Sequence, residues 1–146
     1  MYLSDINNTM DDGGLRSRSV LELAFVGDAV WELLVREAVA QRNVPPEEFH
    51  RETVRLVNAP AQSESLERMR PALTAEEEDV VRKGRNANRR TPPRGSSARE
   101  YRSSTALETL FGYLWLAGRA DRIVELFNIA EDGVDPSLSA AGRMTE

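Results

Sequence analysis

Two carboxylates stand in this sequence where carboxylates are expensive. Asp28 lies inside Leu23-Ala24-Phe25-Val26-Gly27-Asp28-Ala29-Val30-Trp31, the centre of the most apolar run of the 146-residue chain. Glu108 lies inside Thr105-Ala106-Leu107-Glu108-Thr109-Leu110-Phe111-Gly112-Tyr113-Leu114-Trp115. An acid among apolar residues is unfavourable unless a proton, a hydrogen bond or a cation compensates it. Gly27 stands beside Asp28, and glycine inside a helix costs about 1 kcal/mol relative to alanine. That cost suggests that another backbone, or a ligand, comes close. Thr105, Glu108 and Gly112 fall on one helical stripe, and Gly27-Asp28 makes a matching small-and-acidic spot. Should those faces meet, two carboxylates share a site, and either one keeps a proton or a cation lies between them. Oxygen ligands without cysteine suit Mg²⁺ or Mn²⁺. The competing reading is a pair of half-exposed acids on a helical bundle.

Two neighbouring groups bear on this chemistry. Glu32 shares the face of Asp28, four residues on; it either orients water around a cation or pairs with Arg36. Glu47 and His50 form a Glu-x-x-His element of the di-iron bundles, but that element must occur twice and His50 is the single histidine, so the di-iron reading fails. Trp31, Tyr113 and Trp115 are at helical spacing and read as core aromatics.

A second chemistry is written between Arg82 and Arg102. Arg82, Lys83, Arg85, Arg89, Arg90, Arg94, Arg99 and Arg102 face a single acid, Glu100, in a chain whose net charge is -5. The remainder is therefore strongly acidic, and the asymmetry calls for a partner. Asn86, Asn88, Thr91 and Ser96-Ser97 are interleaved with these cations and can donate hydrogen bonds, so the segment suits a phosphate backbone. An acidic metal site beside a cationic loop describes a metal-dependent nuclease. The plainer alternative is a solvated connection.

The elements that must position these groups are helices. Ser19 caps the first, with Glu22 as capping-box partner, and the helix runs to about Gln41. Pro45-Pro46 stops and restarts the chain. A helix from Glu47 to about Val57 places Phe49, Val54 and Val57 inward; Asn58-Ala59-Pro60 breaks it, and another covers Ala61 to Met69. Thr74 and Glu77 form a capping box for a helix ending near Gly84 to Ala87. Asn88 to Ser97, with Thr91-Pro92-Pro93-Arg94-Gly95, is a basic loop. Ser103 or Ser104 caps the helix that carries Glu108 to about Ala117, and a last helix spans Arg119 to about Ala130. No strand-like alternation or internal repeat is present, so the fold class is all-α. Residues 1–17 are expected as a flexible arm, 18–131 as the folded domain and 132–146 as a flexible tail.

Composition bounds the rest. Hydrophobic content of 40% and charged content of 29% are those of a globular protein. The absence of cysteine excludes disulfides and thiolate metal sites and accords with a reducing, cytoplasmic setting. The polar, acidic Met1–Asp12 stretch does not look like a signal peptide, and no apolar run is long and uncharged enough to span a membrane.

These motifs carry a resemblance. Leu23-Ala24-Phe25-Val26-Gly27-Asp28-Ala29-Val30-Trp31-Glu32 resembles the signature helix of the ribonuclease III family. Lys83-Gly84-Arg85-Asn86-Ala87 and the run Tyr101-Arg102-Ser103-Ser104-Thr105-Ala106-Leu107-Glu108-Thr109-Leu110-Phe111-Gly112-Tyr113-Leu114 resemble its compact Mini-ribonuclease III branch. The likeness spans about Ser19 to Ala130. It implies an all-helical, homodimeric endonuclease that cuts double-stranded RNA with a divalent metal, without a separate double-stranded-RNA-binding domain, in maturation of the large-subunit ribosomal RNA precursor. Products are expected to carry 5′-phosphate and 3′-hydroxyl ends. Asp28 and Glu108 match the catalytic, metal-holding acids. Arg82, Lys83, Arg85, Asn86, Arg89, Arg90, Arg94 and Arg102 are the expected RNA contacts, and Glu32 an outer partner of the site. Full-length ribonuclease III has two more acids where this chain holds Ala24 and Thr105. The dimer is expected to use Phe25, Ala29 and Trp31. A non-catalytic RNA-binding relative is the alternative, separated by metal-dependent cleavage of duplex RNA; a helical interaction protein is a third, disfavoured by the basic segment.

Overall fold

Ser19 begins the described fold as the sequence leads one to expect. Its extended backbone leads into helix α1, Val20–Ala40, and its Oγ accepts from the Glu22 N–H at 3.1 Å. The reciprocal arm of the box is replaced: the Glu22 carboxylate lies 3.5 Å from Arg18. A computed structural model describes residues 18–88 and 90–132. The arm expected over 1–17 and all but the first residue of the tail expected over 132–146 lie outside the described residues.

After α1 a 3₁₀ turn, Pro46–Glu48, leads into α2, Phe49–Val57. Asn58 then serves two helices. Its Nδ2 donates to the carbonyls of Val54 and Arg55 at 3.0 and 2.9 Å, and its Oδ1 accepts from Ala61 N at 2.9 Å, capping α3, Ala59–Met69. A turn at Arg70–Ala72 precedes α4, Ala75–Ala87. The capping box of Thr74 and Glu77 is complete, with both bonds formed at 2.9 and 3.1 Å. Helix α5 spans Ala98–Leu116 and α6 Ala120–Asp132; among the described residues every regular element is helical.

Two expectations change. Helix α5 starts at Ala98, not after Ser103 or Ser104. Ser97 and Glu100 form a capping box there, which leaves Ser103 and Ser104 buried within the helix. The acid at the third helical position settles which serine caps. On α2, Thr53 and Leu56 are the buried residues while Phe49 and Val54 are exposed. Thr53 is accepted inside because its hydroxyl donates to the Phe49 carbonyl at 2.8 Å, satisfying the one polar group a valine would lack.

Helix α5 is the axis of the domain. It packs most extensively on α1, then on α4 and α3, and its Leu107, Leu110, Phe111 and Leu114 are fully buried. Trp31 meets Phe111 and Phe127 edge-on, each with ring centroids 5.2 Å apart, which bears out its core reading. Glu77, wholly buried, receives both Nε (2.9 Å) and Nη2 (2.8 Å) of Arg122, and Arg122 also donates to the Ala72 carbonyl. This fork holds the Glu77 carboxyl below the usual range and fastens the start of α4 to α6.

Candidate active site

Glycine decides how the two acids meet. A Cβ placed on Gly27 would overlap the backbone carbonyl of Glu108 and lie 2.7 Å from Gly112 N; one on Gly112 would overlap the Leu23 carbonyl and lie 3.0 Å from Gly27 N. Helices α1 and α5 therefore cross backbone against backbone, which accounts for both glycines inside apolar helices. The residues beside that crossing are Asp28 on α1 and Glu108 on α5.

The Asp28 charge bears on the Glu108 carboxyl. Burial pushes the Glu108 carboxyl up to about 8, the charge of Asp28 adds to the shift, and a hydrogen bond from Gln62 opposes it. Asp28 sits at the exposed rim, yet its carboxyl is also raised, by partial burial first and by Glu32 second. At this partly dry crossing the Asp28 charge raises the proton affinity of Glu108, and the Glu32 charge raises that of Asp28. The pair can hold one proton, or it can share a cation; the donors are carboxylate oxygens, the chemistry that hard divalent cations accept.

Gln62 is a member the sequence did not suggest. It lies on α3, is 2% exposed, and reaches Glu108 across the α3–α5 contact. A glutamine among polar residues of a short helix carries no periodic or motif signal; only tertiary packing shows it. Glu32 forms the pair the sequence allowed for, with Arg36 at 3.1 Å, while its charge is still felt at Asp28.

A ribonuclease III domain profile matches residues 21–119, a span that contains both acids. The chain belongs to the ribonuclease III family. Its relatives include proteins named Mini-ribonuclease 3 from Thermoanaerobacter sp. (45% identical over 118 residues, 80% of this chain and 83% of that one) and Symbiobacterium thermophilum (44% over 116 residues, 79% and 89%). A crystal structure of a Fusobacterium nucleatum protein has the same fold, with TM-score 0.74 and 32% identity over 82% of this chain and 96% of that one. Membership of this family makes the chain an endoribonuclease acting on double-stranded RNA.

Ala24 and Thr105 are both buried, and Thr105 uses its hydroxyl inside the structure, accepting from Asn88 and donating to the Tyr101 carbonyl. No group of three or more His, Asp or Glu side chains in metal-holding geometry is found among the described residues.

The expected RNA contacts are distributed unevenly. Arg90, Arg94 and Arg102 are exposed, as is Asn86. Arg82 and Lys83 are exposed too, but both pair with Asp79, and Lys83 does so at 3.0 Å. Arg85 is half-buried, and its proton affinity is lowered by burial and by the nearby charge of Arg70. Arg89 lies outside the described residues. Asn88, counted in the sequence among the phosphate donors, is buried and faces α5.

Proposed function

We propose that the chain is a metal-dependent endoribonuclease of the Mini-ribonuclease III type whose catalytic and metal-holding acids are Asp28 and Glu108. The observation that carries this reading is the glycine-stitched crossing of α1 and α5, which sets two raised carboxyls side by side in a ribonuclease III domain. Mg²⁺ is the expected cation, with Mn²⁺ able to substitute. When bound, it supplies Lewis acidity at the scissile phosphate and a water acidic enough to serve as nucleophile.

The chain's own residues do the rest. Glu108, set deeper and hydrogen-bonded by Gln62, provides a carboxylate with restricted motion; Asp28 at the rim is open to the solvent from which substrate arrives. Arg90, Arg94 and Arg102 are exposed for the phosphate backbone, with Arg85 and Asn86 at the end of α4, and Arg82 and Lys83 able to exchange Asp79 for phosphate. A duplex of A-form geometry is recognised by backbone and shape, because its major groove is too narrow for side chains. Products carry 5′-phosphate and 3′-hydroxyl ends, and the substrate proposed is the large-subunit ribosomal RNA precursor, in the cytoplasm. No described helix is long and apolar enough to cross a membrane.

The proposed assembly is a homodimer. Leu21, Phe25, Ala29 and Leu33 follow one another at four-residue spacing on α1, all exposed, with Phe25 82% exposed. Such a ridge suits an isologous contact with its copy. Trp31, expected on that interface, is 1% exposed in the protomer's own core and is removed from it. Its side chain points from the opposite flank of the helix, toward Phe111 and Phe127.

Cleavage of a defined RNA duplex with and without Mg²⁺, with end analysis of the products, tests the reading. Activity without added divalent cation in the presence of chelator, or equal activity of an Asp28→Asn variant, overturns it. Light scattering that finds a monomer with full activity overturns the dimer.

A further inference from the structure

Asn88 closes α4 with an extended backbone (φ −90°, ψ 110°) and opens the cationic loop. Its place in a polar, basic stretch suggests a side chain offered to phosphate. Instead it is 7% exposed. Its Nδ2 donates to Thr105 Oγ1 at 2.6 Å, and its Oδ1 accepts from the backbone N–H of Arg90 at 3.0 Å. The direction is set by the next bond: Thr105 Oγ1 donates its proton to the Tyr101 carbonyl at 3.1 Å, so a lone pair faces Asn88. Thr105 stands one helical turn before Glu108 on α5.

The other end of the loop is anchored by different means. Ser96 N and Oγ both donate to the Pro93 carbonyl, at 3.2 and 3.0 Å, closing a turn in which Gly95 takes φ +87°. Ser97 then caps α5. The cationic loop is thus tied at its exit to the first turn of α5 and at its entry, through one amide, to the middle of the same helix.

We propose that Asn88 is a positioning residue: by latching the entry of the cationic loop to Thr105, it holds the loop's phosphate-binding groups at a fixed offset from Glu108. The inference rests on the reading above, in which the loop meets RNA phosphates and Glu108 belongs to the active site. A loop that is latched before substrate arrives has little conformational freedom left to lose on binding, whereas a released loop must be ordered by the RNA. Asn88 therefore acts on duplex affinity and not on the acid pair itself.

The test compares Asn88→Ala, Thr105→Val, the double variant and Thr105→Ser. Thr105→Val keeps the buried shape and removes the acceptor; Thr105→Ser keeps the hydroxyl. Kinetic constants are measured on duplex RNA with Mg²⁺. Affinity and its salt dependence are measured in a Glu108→Gln background, and Mn²⁺ binding to the otherwise unaltered protein by paramagnetic resonance. Asn88→Ala and Thr105→Val should each raise KM about 5-fold, the effect of one buried hydrogen bond. The slope of log affinity against log salt should become shallower by about 0.7–0.9, one phosphate contact. The rate at saturation and Mn²⁺ affinity should remain at wild-type levels. The double variant should be no worse than either single one, and Thr105→Ser should behave as wild type. A loss confined to the saturated rate, an unchanged salt slope, or additive effects in the double variant overturns the inference while leaving the site reading intact. A wild-type protein that neither binds nor cuts duplex RNA overturns the site reading and this inference with it.

Discussion

At the crossing of α1 and α5 two helix backbones touch, with Gly27 and Gly112 leaving no room for even a methyl group. From Arg90 to Ser97, by comparison, the chain lies largely on the surface, and the entry of the loop is held to the domain by the Asn88–Thr105 bond. The two regions carry opposite charge and are built to opposite tolerances. The acid crossing must fix two carboxyls against their mutual repulsion, which takes close-packed backbone. The cationic segment must meet a backbone of regularly spaced phosphates, where long, exposed side chains adapt at little cost. The lesson is that precision is placed where charges repel, and adaptability where they attract a large ligand.

The comparison is broken most severely at the acids. Asp28→Asn and Glu108→Gln should each reduce cleavage by more than about 100-fold, since even groups that merely orient metal ligands are worth about 10–100-fold. Single-turnover cleavage in Mg²⁺ checks this. Glu108→Gln should also raise stability in metal-free buffer. The folded-state carboxyl lies near 8 against an ordinary 4.5, so folding takes up a proton. The resulting penalty is absent below about pH 4.5, grows as pH rises to about 8 and is constant above. The gain at pH 8 should be on the order of 3 kcal/mol, discounted for partial exposure, and should vanish near pH 4. Denaturant melts at the two pH values decide it; equal melts at pH 8 would show that Glu108 carries no such strain.

Next comes the packing that brings the acids together. Gly27→Ala inserts a methyl group into backbone, not into a side chain that can move, and should destabilise the domain by about 3 kcal/mol or more. A variant that melts as wild type would mean that the helices are not in contact as described. On the cationic side the same logic predicts tolerance. Replacing Arg85, Arg89, Arg90 and Arg94 with alanine should flatten the salt slope of duplex affinity by about 0.7–0.9 for each lost phosphate contact while saturating RNA restores part of the cleavage rate. An unchanged slope places the duplex elsewhere.

The smallest effect is expected at Glu32, where charge bears on the acid site from outside. Its carboxylate is held by Arg36 at 3.1 Å and raises the Asp28 carboxyl. Glu32→Gln should lower the Asp28 pKa, measurable by NMR titration, and change cleavage less than about 10-fold. A larger loss would make Glu32 part of the metal-holding set.

Much of this was determined by the sequence alone. Periodicity and capping chemistry specify helices, and Thr74 with Glu77, Asn58 before Pro60, and Ser19 before the apolar run each mark an end by a local hydrogen bond that needs no tertiary partner. Acids flanked by glycines inside apolar runs announced a site, because their cost has no local remedy. What only the tertiary structure decided is non-local. The start of α5 is not part of it, since Ser97 with Glu100 three residues on is a local capping box, as legible in the sequence as Thr74 with Glu77. Trp31 was equally plausible on an interface and in the core until Phe111 and Phe127 came from distant parts of the chain to meet it. Gln62 reaches Glu108 from 46 residues away, and Asn88 turns from the loop to Thr105, 17 residues on. Side chains such as these have no periodic signature. Their partners exist only once helices far apart in sequence have packed, and a buried amide is tolerated only where that packing supplies its hydrogen bonds.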